Sequence, residues 1–243
     1  MKTLYILIFL NIISLSFFSC ESLIEPLKTE EPMPYMQLNV GDIRQYYDDP
    51  EGFYIQWEIV DTTRRIDGQK VFVSEESILT QSAIFFSKNY YFINSEYFIQ
   101  TELDSLNYPK NYENNPFYER KLAKIFPKKS DVFLINDGST DFDKAFFKIK
   151  FIDSLYAYCK TFREVAEYEK IDNDTVRSIS TYYTKYFGHI GAVLGNQNGI
   201  ATIYAIYIKV GDKEVGEFFP FPTRQIIKDS SQIKFLTIPS LFR

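Results

Sequence analysis

The sequence predicts a mainly β protein: a single antiparallel, strongly curved sheet or half-barrel with a short helix against it. Three observations carry this. Aromatic residues make up 18% of the chain, 19 Tyr and 23 Phe against a single Trp, and such residues are enriched in strands. Short apolar and polar alternations recur along the body with polar or glycine-containing turns between them, so strands follow strands. No fixed repeat and no second tether-like segment divides residues 36–243, which points to one β-rich domain.

The firmest element is a hairpin. Tyr54, Gln56 and Glu58 alternate with Ile55, Trp57 and Ile59, and a second apolar run follows at 70–74. Asp67-Gly68 between them tolerates the positive φ of a tight turn. Three short strands are expected at 83–86, 90–93 and 97–102, with turns at 87–89 and 94–96. Further strands are expected at 146–152, 155–161, 179–186 and 200–210, with a turn at 210–213. Strict alternation in the last puts Ala201, Ile203, Ala205, Tyr207 and Lys209 on one face and Thr202, Tyr204, Ile206, Ile208 and Val210 on the other. The helix is expected at 116–125, where Asn115 can cap, Pro116 suits the first position, and Phe117, Lys121, Leu122 and Ile125 share a face.

Charge and composition narrow the function. A net charge of −5 leaves no basic field to gather nucleic-acid phosphates, so no nucleic-acid partner is expected. One His and two Cys are too few soft ligands for a zinc or iron–sulfur site, and neither metal nor cofactor is expected. His189 is the single imidazole, flanked by Gly188 with Gly191 beyond; a strand bulge explains this better than catalysis, since no nucleophile elbow is present. Gly191, Gly195 and Gly199 recur every four residues, which no nucleotide-binding loop requires. The carboxylates at 136–143 could hold calcium but lack EF-hand spacing and read as a solvated turn, as do those at 172–174. Cys159 reads as a strand thiol on the face of Leu155 and Ala157.

The N-terminus reads as an address. Lys2 precedes an apolar run over 4–18, which is signal-peptide length and short of the about 20 residues a spanning helix needs. Residues 17–20, Phe-Phe-Ser-Cys, resemble a bacterial lipobox in Ser19 and Cys20, while Phe17 and Phe18 depart from its usual Leu and small residue. The resemblance implies a signal peptide over 1–19 and a diacylglycerol on Cys20, an anchor to which each buried methylene contributes about 0.8 kcal/mol. The alternative is an ordinary secretory signal that leaves Cys20 a plain thiol. Residues 20–35, with Pro26, Pro32 and Pro34 and several acids, form a tether; extended at about 3.1 Å per residue it reaches roughly 45 Å.

Several segments of the body look like those of β-rich envelope lipoproteins of Bacteroidota-type bacteria. Residues 35–42 resemble their opening, 61–70 their first hairpin, 118–131 a segment built around Phe126-Pro127, and 161–165 and 182–193 two late strands. These positions are turns and core residues, so the resemblance implies fold and a lipid-anchored envelope location, outer membrane favoured over inner, with no chemistry. The expected role is non-enzymatic: binding or structural, with a protein or lipid partner. An alternative is a carrier whose concave aromatic face takes a lipid or acyl chain, formed by Phe85, Tyr91, Phe92, Tyr97 and Phe98, although the same residues can simply fill a core. A hydrolase using two converging carboxylates is the weakest alternative.

Overall fold

The computed structural model describes residues 32–49, 52–103, 119–135, 145–171, 178–196 and 199–221. Cys20, the signal peptide expected over 1–19, and the loops expected at 136–143 and 172–174 lie outside the described residues. The described strands belong to one unit, Pro34–Arg243. They are β1 (Ile43–Asp48), β2 (Phe53–Arg64), β3 (Lys70–Leu79), β4 (Ile84–Ile93), β5 (Tyr97–Thr101), β6 (Glu119–Lys124), β7 (Val132–Ile135), β8 (Ala145–Ala157), β9 (Lys160–Ile171), β10 (Ser178–Thr184), β11 (Gly188–Asn196), β12 (Gly199–Val210) and β13 (Lys213–Gly216).

All pairings are antiparallel, in the order β6-β5-β4-β3-β2-β1-β12-β11-β10-β9-β8-β7, with β13 added to β12. Two meanders, β2–β6 and β7–β12, are therefore joined through β1. The sheet curls until it is nearly a barrel. Side chains bridge the seam between its edges β6 and β7: Tyr97 of β5 packs on Phe133 of β7 at 5.4 Å, and Lys124 of β6 donates to the carboxylate of Asp131, just before β7, at 2.9 Å. From across the interior the Tyr168 hydroxyl donates to the Lys124 carbonyl at 2.9 Å.

The chain just before β1 caps one end of this barrel. The Tyr35 amide donates to the Ile125 carbonyl and the Tyr186 amide to the Pro34 carbonyl, which ties the segment to both walls. Asp42, fully buried, closes it: its carboxylate accepts from the Asn39 amide at 2.8 Å and the Gly211 amide at 2.9 Å.

Alternation sends one residue set inward, where Ile59, Ile149, Ile190, Ile208, Tyr168 and Tyr183 form the main core. A second apolar cluster, Tyr54, Ile206 and Phe221, lies outside it. Here the buried Gln45 amide bonds the backbone of Phe219 in both directions, at 2.6 and 2.8 Å. A third cluster of Val71, Phe92 and Ile99 lies under Arg65, whose guanidinium rests 5.4 Å from the Phe92 ring and pairs with Glu119 at 2.6 Å and Asp67 at 2.7 Å.

Mainly β architecture and strong curvature agree with the sequence, as does the Asp67-Gly68 turn, where Gly68 has φ +89. Other expectations need correction. There is no helix among the described residues, and 119–124 of the expected one form β6, because the β5 edge recruits them into a ladder running from Thr101↔Glu119 to Tyr97↔Lys124. Ser87, Lys88 and Asn89 do not turn; they continue β4, paired with Glu76, Glu75 and Ser74, so Lys88 meets an opposite charge. The strand expected over 155–161 is instead the tip of the β8–β9 hairpin, with Tyr158 and Cys159 turning. Finally, β12 alternates as expected only as far as Ala205. A bulge opposite Gln45 and Tyr46 adds Ile206, after which Ile208 and Val210 point to the main core.

Candidate functional site

Inside the barrel lies a cavity of about 270 Å³. One side of its wall comes from β1 to β5: Arg44 and Tyr46 from β1, Ile55 and Trp57 from β2, Glu76 from β3, Tyr91 from β4 and Phe98 from β5. Register explains the grouping. Arg44 pairs with Trp57 and Tyr46 with Ile55, so these four share the inner face of β1 and β2. Trp57 pairs in turn with Glu76.

On the far side Tyr183, His189, Ala192 and Ile203 complete the wall. A bulge makes this arrangement. Thr181 pairs with Ala192 but Tyr183 pairs with His189, so Ile190 is an extra residue and both Ala192 and His189 can face inward. Gly191 is required beside the bulge, since any Cβ there would lie 2.6 Å from the Ile203 carbonyl and collide with the Tyr204 ring. Gly188 opens β11 at φ +76, and a Cβ on it would press on the Met36 sulfur at 2.5 Å.

The polar groups form two sets. The Tyr91 hydroxyl donates to Glu76 at 2.8 Å, while its ring stacks on Phe98 at 5.2 Å. The Tyr46 hydroxyl meets His189 Nδ1 at 3.0 Å and donates to the His189 carbonyl at 3.2 Å. Burial, with the Arg44 charge beside it, pushes the His189 pKa down to about 3, so the ring is neutral. Burial raises the phenol pKa of Tyr46, Tyr91 and Tyr183, leaving each a protonated donor.

Arg44 is the unusual member. It is 1% exposed, and its guanidinium lies 4.7 Å over the Trp57 ring. Nε and Nη2 donate to the Phe187 carbonyl at 3.2 and 3.0 Å. Nη1 is buried and has no hydrogen-bond partner among the described residues. No carboxylate lies within ion-pair distance of it among the described residues. Burial lowers its pKa from the ordinary value, with Tyr46 and Asp42 acting against that.

The aromatic face expected from sequence is only partly assembled. Tyr91 and Phe98 line the cavity. Phe92, next to Tyr91 in the strand, points the other way into the cluster with Val71 and Ile99. Tyr97 sits at the seam against Phe133. Phe85 is 58% exposed near the start of β4. His189 does occupy a bulge, but as part of the cavity wall. Cys159 sits at a hairpin tip, where its amide donates to the Ala205 carbonyl at 3.0 Å. Arg44, Tyr46, Trp57 and Glu76 were not anticipated as a group. Their common signal is register, Arg44 opposite Trp57 and Trp57 opposite Glu76, which requires knowing that β1 enters the middle of the sheet.

No family model matches the chain, and no curated protein matches it. Among solved structures it is similar to a Parabacteroides distasonis protein classed as a lipoprotein, with 15% identity and a TM-score of 0.36 over 72% of this chain and 97% of that one. It is also similar to an exported protein of Bacteroides fragilis with a YmcC-like fold, with 10% identity and a TM-score of 0.36 over 73% of this chain and all of that one. Superposition at this level does not extend to a shared site or role.

Proposed function

We propose that this protein is a cell-envelope lipoprotein, anchored through Cys20 and favouring the outer membrane, whose β domain binds a small apolar ligand inside the barrel without catalysis. The observation that carries the binding reading is the cavity itself. Ligand sites are concave, mainly apolar, and set with a few polar groups; here Trp57, Tyr91, Phe98, Ile55 and Ile203 supply the apolar wall and Arg44, Glu76 and Tyr46 the polar points. At about 270 Å³ the space suits a single short chain or ring better than a two-chain lipid. Anchoring rests on the sequence around Cys20, and a diacylated N-terminus makes release from the bilayer negligible.

Two experiments test this. Cys20→Ser is expected to move the protein out of the membrane fraction or to leave it unprocessed; mature protein that still pellets with membranes would remove the anchor. For the cavity, native mass spectrometry of the gently purified Cys20→Ser chain is expected to show a retained small apolar molecule, absent from Ala192→Phe, which fills the space. A clean apo mass, together with no saturable change in fluorescence of the sole tryptophan, Trp57, on titration with octanol, would sink the cavity reading.

A further inference from the structure

We infer that the ligand of this cavity is an apolar molecule with a carboxylate head, and that Arg44 is its anchor; this rests on the cavity being a binding site. A guanidinium presents five N–H donors and remains charged in proteins. Arg44 lines the cavity; two of its N–H groups, on Nε and Nη2, donate to the Phe187 carbonyl and Nη2 also meets the Met36 sulfur at 3.9 Å, while Nη1 is buried and meets no acceptor among the described residues. Burying a charge without a partner is costly, and leaving its donors unmade adds to that cost.

The surroundings hold that end in place. The Phe187 carbonyl fixes one edge of the guanidinium and the Trp57 ring supports one face. Gly188 makes room for it, since a Cβ there would come within 3.1 Å of Nη2. Glu76, the acid in the same wall, is engaged by the Tyr91 hydroxyl and does not pair with Arg44. His189 is neutral and adds no second positive charge. A carboxylate in the cavity would accept from Nη1 as a charge-assisted pair, while its apolar body lies along Ile55, Phe98 and Ile203.

The test compares two ligands of equal length, octanoate and octanol, by titrating Trp57 fluorescence in the Cys20→Ser chain. Trp57 lies directly beneath Arg44, so occupancy is read at the site. Octanoate is expected to bind about tenfold or more tightly than octanol, the scale of a hydrogen bond to a charged group. Arg44→Met should erase that preference, octanoate falling to or below the affinity of octanol for the same variant. If that variant does not fold, the ligand comparison on intact Arg44 still decides. Octanol binding as tightly as octanoate overturns the anchor and leaves the cavity reading standing. Octanol binding by itself, with no octanoate response, overturns it equally. If neither ligand binds, the cavity reading falls and the anchor with it.

Discussion

Asp42 should be among the most sensitive positions in the domain, although it touches neither the cavity nor the expected anchor. Its carboxylate is fully buried and is the acceptor for two backbone amides, Asn39 at 2.8 Å and Gly211 at 2.9 Å. The first shapes the turn leading into β1; the second ties the β12–β13 turn to it. Asp42→Ala takes the acceptor from both amides, which belong to the exposed residues Asn39 and Gly211 at the solvent edge of a buried carboxylate. A hydrogen bond to a charged group contributes about 1.5–3 kcal/mol, and water at the edge can replace part of a lost one, so the pair should cost roughly 3 kcal/mol. That is a large share of the roughly 5–15 kcal/mol by which domains are stable. At about 2–4 °C per kcal/mol for a domain of this size, the melting temperature should drop by roughly 10 °C. Urea unfolding followed by tyrosine circular dichroism, with unchanged m-value, would measure the loss. Asp42→Asn keeps one acceptor oxygen and should recover about half. A cost below about 1 kcal/mol for Asp42→Ala would refute the reasoning, because it would mean that the two amides find acceptors without the carboxylate.

The remaining predictions concern the cavity wall and the free thiol. His189, with its folded pKa held near 3 against about 6.5 unfolded, binds fewer protons folded than unfolded between those values; its share of stability is present above pH 6.5 and lost as pH falls toward 3. Its ring proton resonance, unique in the spectrum, should stay at the neutral position from pH 8 to about 5, and His189→Gln should flatten the pH dependence of the urea midpoint; a titration near 6.5 would show the ring solvated. Gly191→Val should destabilise by about 2 kcal/mol or more through overpacking against Tyr204 and the Ile203 carbonyl, and a neutral outcome in thermal melts would show that β11 can move away from β12. Cys159, half-buried with its pKa pushed up to about 11, should resist iodoacetamide at pH 8 in the native state and react once unfolded; rapid native labelling would place it in solvent.

Local sequence was a good guide wherever a strand and its turn were self-sufficient. The β2–β3 hairpin is read correctly because alternation and Asp67-Gly68 agree and nothing distant intervenes. Legibility ended where a partner strand decides. Residues 119–124 have helical spacing, yet β5 offers an unpaired edge and the ladder wins. Ser87 to Asn89 have turn composition, yet their partners on β3 carry the strand straight through. In β12 the inward set changes at Ile206 because β1 contributes one residue fewer, which no property of β12 alone announces. The cavity was half legible for the same reason: Tyr91 and Phe98 sit in a visibly aromatic stretch, whereas Arg44 becomes an interior charge only when β1 is placed between β2 and β12.

That placement of β1 also bears on how the chain acquires its structure. The two meanders are built from neighbours in sequence and can zip locally, but β1 finds its second ladder only in β12, where Ile43 pairs with Lys209. During synthesis that ladder is the last but one to become available, and loop-closure entropy must be met before it forms. Until then Arg44 and Trp57 have half a wall around them. A chain that keeps its decisive pairing for its far end stays unfolded for longest while it is being made, which is the state a polypeptide must hold if it is to be threaded through a membrane before it folds.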